Sequence, residues 1–123
     1  MTLSQNGKLG ENFAAEWLQK SGYSIIGMNY HTRFGEIDII AKDNETICFI
    51  EVKFRSNSSM GVPAEAVNSM KQERIIKTAM LYIEDMGLNL DTSIRFDIAE
   101  VAQKDGEYYI RYTENAFEWR NCE

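Results

Sequence analysis

The sequence predicts an α/β sandwich around a mixed sheet, and three observations carry that expectation. The elements run in the order helix, three strands, helix, two strands. The segment Ile47-Cys48-Phe49-Ile50-Glu51-Val52-Lys53-Phe54 is rich in strand-favouring residues and apolar on both faces, as in a central strand covered from both sides. The connection from Phe54 through the second helix to Ser93 is long enough for a parallel crossover, which should be right-handed.

Each element has its own signal. From Gly7 to Lys20, the residues Leu9, Phe13, Ala14, Trp17 and Leu18 fall on one broad arc, giving a first helix that Gly22 ends. Tyr23-Ser24-Ile25-Ile26 begins the first strand, with Asn29 to Arg33 as an irregular continuation. The strands Gly35–Ala41 and Thr46–Phe54 are separated by the polar break Lys42 to Thr46. Arg55 to Val62 reads as a Ser- and Asn-rich loop, and Pro63 suits the first turn of a helix reaching Met86, stopped by Gly87. Its buried face is expected from Ile75, Ile76, Ala79, Met80, Ile83 and Met86. Ser93–Ala102 and Glu107–Thr113 form a hairpin around Asp105-Gly106, with Phe117 and Trp119 packing back on the domain.

Composition narrows the function. The 123 residues, 44% hydrophobic and 26% charged, fit one domain spanning residues 1–123 with an ordinary core. No apolar run reaches the length of a membrane span, and the polar start Thr2-Leu3-Ser4-Gln5-Asn6 does not resemble a secretory signal. Cys48 and Cys122 form no metal pattern and read as free thiols, so a cytoplasmic protein is expected. The single histidine, His31, excludes phosphodiesterase sites that need several histidines, and zinc sites built on His and Cys. A metal here would be held by oxygen, which favours Mg²⁺ or Mn²⁺. With 19 acidic and 13 basic side chains the net charge is −6, which repels a phosphate backbone at long range. Nucleic-acid binding therefore needs a local basic patch acting within a Debye length of about 8 Å. A homodimer presenting two such patches would help.

The chemistry concentrates between Gly35 and Lys53. Glu51 and Lys53 lie two residues apart and point from the same face of their strand, and Asp38 lies on the preceding strand. Charges held at the edge of a core cost several kcal/mol unless a partner or a metal compensates. Two acids and a lysine gathered this way suit a divalent-metal site acting on phosphate. Turn parity decides whether they meet. A two-residue Asn44-Glu45 loop, or a four-residue one, sets Asp38 opposite Glu51 and Glu36 opposite Lys53, whereas a three-residue loop sends the acids to opposite faces. Asp38, Glu51 and the Val52 carbonyl are the candidate metal ligands. Lys53 is the candidate for orienting water and stabilising transition-state charge, with a salt bridge to Glu36 as its structural alternative. Glu36 would reach a metal through water or serve Lys53 as a partner.

Asp38 followed by Glu51-x-Lys53 on the next strand resembles the PD-(D/E)xK motif of restriction-endonuclease-like nucleases, with Ile37 in place of the proline. Together with Gly7-x-x-Gly10-Glu11, Gly22-Tyr23, Gly35-Glu36-Ile37-Asp38, Phe49-Ile50-Glu51-Val52-Lys53-x-Arg55, Gly61-x-Pro63 and Arg95-Phe96-Asp97, it resembles the YraN-type family of small bacterial proteins. That family is similar in core to archaeal Holliday-junction resolvases. The resemblance implies a restriction-endonuclease-like three-layer α/β sandwich and assigns the helix-borne acid of the site to Glu11. On helical geometry alone Glu11 and Glu16 lie on opposite flanks of the apolar arc. Asp97 matches the family's Phe-Asp pair and reads as structural.

Lys71, Arg74 and Lys77 make a basic stripe on the second helix, with Gln72 beside it and Lys71 matching a family lysine. Such a stripe is usually a solvated helix face. Beside Arg55, and with Arg33 before the acidic strand, it is also the best phosphate-binding track in the chain. Tyr30 and Phe34 suit either the core or stacking on bases. The expected function is a metal-dependent nuclease acting on phosphodiesters of branched or single-stranded DNA, with RNA left open. The rival is a nucleic-acid-binding or protein-interaction module of the same fold, catalytically weak or inactive.

Overall fold

The computed structural model describes residues 3–55, 67–89 and 91–122, with side chains from residue 7. Helix α1 (Leu3–Lys20) is followed by β1 (Ser24–Thr32), β2 (Gly35–Asp43) and β3 (Thr46–Arg55). Helix α2 (Ser69–Asp85), β4 (Ile94–Lys104) and β5 (Glu107–Phe117) complete the order. The strands form one five-stranded sheet in the order β1-β2-β3-β4-β5. The β3–β4 pair is parallel and the others are antiparallel, giving the expected mixed sheet with β3 at its centre.

A helix covers each face. On one side Ala14 and Leu18 of α1 pack on Ile39, Ala41, Cys48, Ile50, Ala99 and Val101. On the other, Ile76, Ala79 and Ile83 of α2 pack on Ile40, Phe49, Phe96 and Ile98. Full burial of one such large aliphatic or aromatic side chain is worth about 1.5–3 kcal/mol, so the two-faced burial of β3 anchors both layers. Gly10 brings α1 against the sheet: a Cβ there would stand 3.2 Å from Phe54 Cδ2.

Several boundaries differ from the sequence expectation. α1 begins at Leu3, earlier than Gly7, and the first strand is continuous through Thr32. That continuity is obtained with a register shift between Ile25 and Gly27 and with Asn29 at φ 52°. The described part of α2 starts at Ser69, where the Asn68 side chain accepts the Lys71 N–H at 2.9 Å; Pro63 lies outside the described residues. Met86 is the C-terminal cap and is 55% exposed, so it leaves the predicted buried face. Strand β5 runs on to Phe117, whose ring stacks on Phe96 at 5.0 Å, whereas Trp119 is half exposed.

Asp97 is structural, as its alternation with Phe96 and Ile98 suggests. It is fully buried, and it accepts hydrogen bonds from Arg95 Nε and Nη2, the Tyr112 hydroxyl and the Asn115 amide. Asp97→Ala would leave the Tyr112 hydroxyl without its acceptor and strip the guanidinium of its buried partner, leaving it with hydrogen bonds to Asp43 and the Tyr23 hydroxyl. It should cost about 3–5 kcal/mol, the usual penalty for breaking a buried ion pair, read as a lower urea midpoint at unchanged slope.

Candidate functional site

The site begins with a turn. Asp43 pairs with Thr46 across the two-residue loop Asn44-Glu45, with Asn44 in the left-handed region at φ 54°. The register then runs through Ile40↔Phe49 to Ile39↔Ile50. This even parity is the one that sends Asp38 and Glu51 to the same face, and both line a pocket of about 190 Å³ under α2. Gly35, Glu36, Lys71, Arg74 and Ile75 complete its walls. Gly35, at φ 155°, passes close to the helix: a Cβ there would lie 3.5 Å from Arg74 Cβ.

The two acids are deeply placed, with 9% of Asp38 and 8% of Glu51 exposed. Past Ile39, Asp38 Oδ2 accepts the Val52 N–H at 2.8 Å, which orients the carboxylate. Glu51 Oε1 lies 3.1 Å from Lys71 Nζ, so its resting counter-ion comes from α2. Burial pushes the Glu51 carboxyl up to about 7, and the Asp38 charge adds to the effect while Lys71 opposes it. Asp38 is also raised, first by burial; the Val52 amide holds it down and Glu36 pushes it up. Glu11 follows the same pattern, raised by burial and then by Asp38. Neighbouring acids thus raise these carboxyls, as the sequence implies, but burial is the larger cause.

Glu11 and Glu36 join the cluster through a residue that the sequence reading passed over. With its amide turned to donate, Asn29 Nδ2 lies 2.8 Å from Glu36 Oε1 and 3.2 Å from Glu11 Oε2. The available signal was the residue type, because asparagine tolerates the left-handed backbone that a kinked strand needs. Glu16 is exposed on the outer face of α1. Among the described residues, no three His, Cys, Asp or Glu side chains make a ready-made metal-holding group. The convergent donors are Asp38 and Glu51.

Lys53 does not meet Glu36. Glu36 instead faces His31 at 3.3 Å, and Lys53 is exposed, without a carboxylate partner among the described residues. The reason is local: the paired ladder ends at Ile39↔Ile50, so the strands no longer hold Glu36 opposite Lys53. The basic candidates divide into distinct settings. Arg55 is bound to fully buried Glu100, with Nη2 to Oε2 at 3.0 Å, and Arg111 shares that carboxylate at 2.8 Å. Gln72 accepts from Arg120 Nη1 and donates to the Val67 carbonyl. Arg74 borders the acidic pocket, while Arg33 and Lys77 lie 4.7 and 5.6 Å from the Phe34 ring centroid. Tyr30 belongs to the core, packing edge-on to Tyr82 with its hydroxyl donating to Asp85.

The raised Glu51 carboxyl has a thermodynamic consequence. Glu51 keeps its proton more tightly in the folded state, so its favourable contribution is complete below about 4.5 and is lost as pH rises through about 7. Without added metal, the wild type should lose on the order of 3 kcal/mol across that window from this group. Glu51→Gln should flatten the profile, measured by urea unfolding at a series of pH values.

The sequence model of the uncharacterised protein family UPF0102 matches residues 10–101, a span holding the whole acidic cluster. A UPF0102 protein of Alkaliphilus oremlandii is 45% identical over 112 residues, covering 90% of this chain and 96% of its own. Another, of Alkaliphilus metalliredigens, is 47% identical over 111 residues, with 90% and 96% covered. One of Clostridium botulinum is 44% identical over 114 residues, with 91% and 93% covered. With a family match over most of its length and relatives this similar along nearly their full extent, the chain belongs to the UPF0102 family.

Proposed function

We propose that this protein is a divalent-metal-dependent nuclease of restriction-endonuclease-like fold, acting on phosphodiester bonds of structured or single-stranded DNA. The observation that carries this reading is the buried Asp38–Glu51 pair, whose charges are incompletely compensated. Stable folds rarely keep two raised carboxyls side by side without a use for them.

The donor set fits Mg²⁺ or Mn²⁺. Both ions take hard oxygen ligands, and Mg²⁺ commonly uses only one or two carboxylates alongside waters and a substrate phosphate. Asp38 and Glu51 would hold it, with the Val52 carbonyl as a further oxygen. When bound, the ion supplies Lewis-acid polarisation of the phosphate and a more acidic water. The chain's own groups do the rest. The Val52 amide fixes the Asp38 carboxylate, and α2 closes one wall of the pocket against bulk water. Lys71, an ammonium already at the pocket, and exposed Lys53 provide positive charge for a phosphate undergoing attack. Glu11 or Glu36, tied together by Asn29, would complete the ion's shell, Glu36 through water. A binding module without turnover is the second reading, favoured by the net charge of −6 and by the engagement of Arg55 with Glu100.

Calorimetry with Mn²⁺ should show a site in the wild type that Asp38→Ala loses; no such site in either protein supports the module. In a Mn²⁺ panel of single-stranded, duplex, flap and four-way-junction DNA, Lys53→Ala should cut about a hundred- to a thousandfold more slowly while still binding metal. Equal slow cutting by wild type and Lys53→Ala would assign the activity to a contaminant. Replacing Lys71 and Arg74 together by Ala should weaken DNA binding and lower the logarithmic salt slope by about 0.7–0.9 per lost phosphate contact. An unchanged slope returns both side chains to an ordinary helix face.

A further inference from the structure

A second concavity lies directly beside the acidic pocket. It is a cleft of about 600 Å³ along α2, with Phe34 and Lys77 at one rim and Met80, Leu88 and Trp119 among its apolar walls. The two spaces meet along consecutive residues. Gly35, Arg74 and Ile75 line the acidic pocket, while Phe34, Ile76 and Lys77 line the cleft. The two spaces therefore border each other at Phe34–Gly35 and at Ile75–Ile76.

We infer that this cleft binds an unpaired nucleotide of a single-stranded segment, its base on the apolar wall and its flanking phosphates at Arg33 and Lys77. The inference rests on the nucleic-acid reading above and narrows it to strands with unpaired bases. Three features favour this occupant. The volume suits one nucleotide-sized ligand, within the roughly 300–1,000 Å³ of small-molecule sites. The wall offers flat and polarisable surfaces: Phe34 is half buried, and Trp119 is 49% exposed with its indole N–H held on Met80 Sδ at 3.3 Å. Base stacking on such rings tolerates any sequence. Charge is uneven along the cleft: Lys77 lines its Phe34 end, with Arg33 also over the Phe34 ring, whereas the acid Glu84 lines it further along α2, on a chain whose net charge is −6. An apolar peptide or a second copy of the chain would use the wall but leave those cations without a purpose. A phosphate-linked base uses both.

The test uses the full chain carrying Trp17→Phe, so that Trp119 is its only indole, with chelator present to prevent cleavage. An octameric oligothymidylate should quench or shift Trp119 fluorescence, and a blunt duplex of equal length should do so much more weakly. Phe34→Ala should weaken oligothymidylate binding roughly tenfold, as for one lost stacking contact. Lys77→Ala should lower the logarithmic salt slope by about 0.7. Urea unfolding of each variant shows that the comparison is between folded proteins, and Phe34→Leu, which keeps apolar bulk without a flat ring, should bind nearly as weakly as Phe34→Ala. Silent Trp119 fluorescence, equal response to duplex, or undiminished binding by Phe34→Ala overturns the inference. So does a Trp119 change that follows protein concentration without DNA, which assigns the cleft to a second copy. Wild-type protein with and without Mn²⁺ separates this inference from the nuclease reading. Binding without cleavage in any metal leaves the cleft standing and removes the nuclease, whereas cleavage with silent Trp119 does the reverse.

Discussion

The register of the β2–β3 hairpin is the constraint on which the rest of the site depends. Asn44 turns the chain in two residues by accepting a left-handed backbone, and every side chain on both strands inherits its face from that turn. One more residue in the loop would move Asp38 and Glu51 to opposite sides of the sheet. The same parity that brings the acids together also sends Cys48 and Ile50 towards α1 and Phe49 towards α2. Core and site are therefore specified by a single local choice, and the large energy of core burial holds the small geometry of the site in place.

The molecule buries carboxylates in two different ways. Asp97 and Glu100 are fully buried, and each is matched by arginine: Asp97 by Arg95, Glu100 by Arg55 and Arg111. These are closed networks that tie neighbouring strands together. Asp38 and Glu51 keep slight exposure; the Val52 amide and the Lys71 ammonium face them, and their other hydrogen bonds are shared among acids, with each other and with Glu11. Their carboxyls are consequently pushed upward while a pocket opens beside them. Burial alone does not mark an acid as a candidate for function; incomplete compensation beside a pocket does.

The basic residues are sorted by the same logic. A negatively charged chain holds nucleic acid only where its cations escape internal pairing. Arg55 and Arg95 serve buried acids and Arg120 is bound to Gln72 and Ser69, whereas Arg33, Arg74 and Lys77 stand along the outer rim from Phe34 to α2. Lys71 belongs to both groups, being paired with Glu51 and still half exposed.

The sequence by itself determined the order of elements, the central place of β3 and, given an even loop at the polar break, a shared face for Asp38 and Glu51; the ladder itself stops at Ile39↔Ile50, one residue short of pairing them. These follow from periodicity and turn chemistry, which act over a few residues. It also singled out Asp97 as structural from its alternation with apolar neighbours. Only the tertiary structure decided which cation meets which acid. Glu51 takes Lys71 from α2, Glu36 takes His31 and Asn29, and Arg55 takes Glu100 from the neighbouring parallel strand. Long charged side chains reach across elements far apart in sequence, and their partners depend on helix placement and on where a ladder frays. The cleft between Phe34 and Trp119 was hidden for the same reason: its walls come from a turn, a helix and the C-terminal segment, and no local pattern connects them.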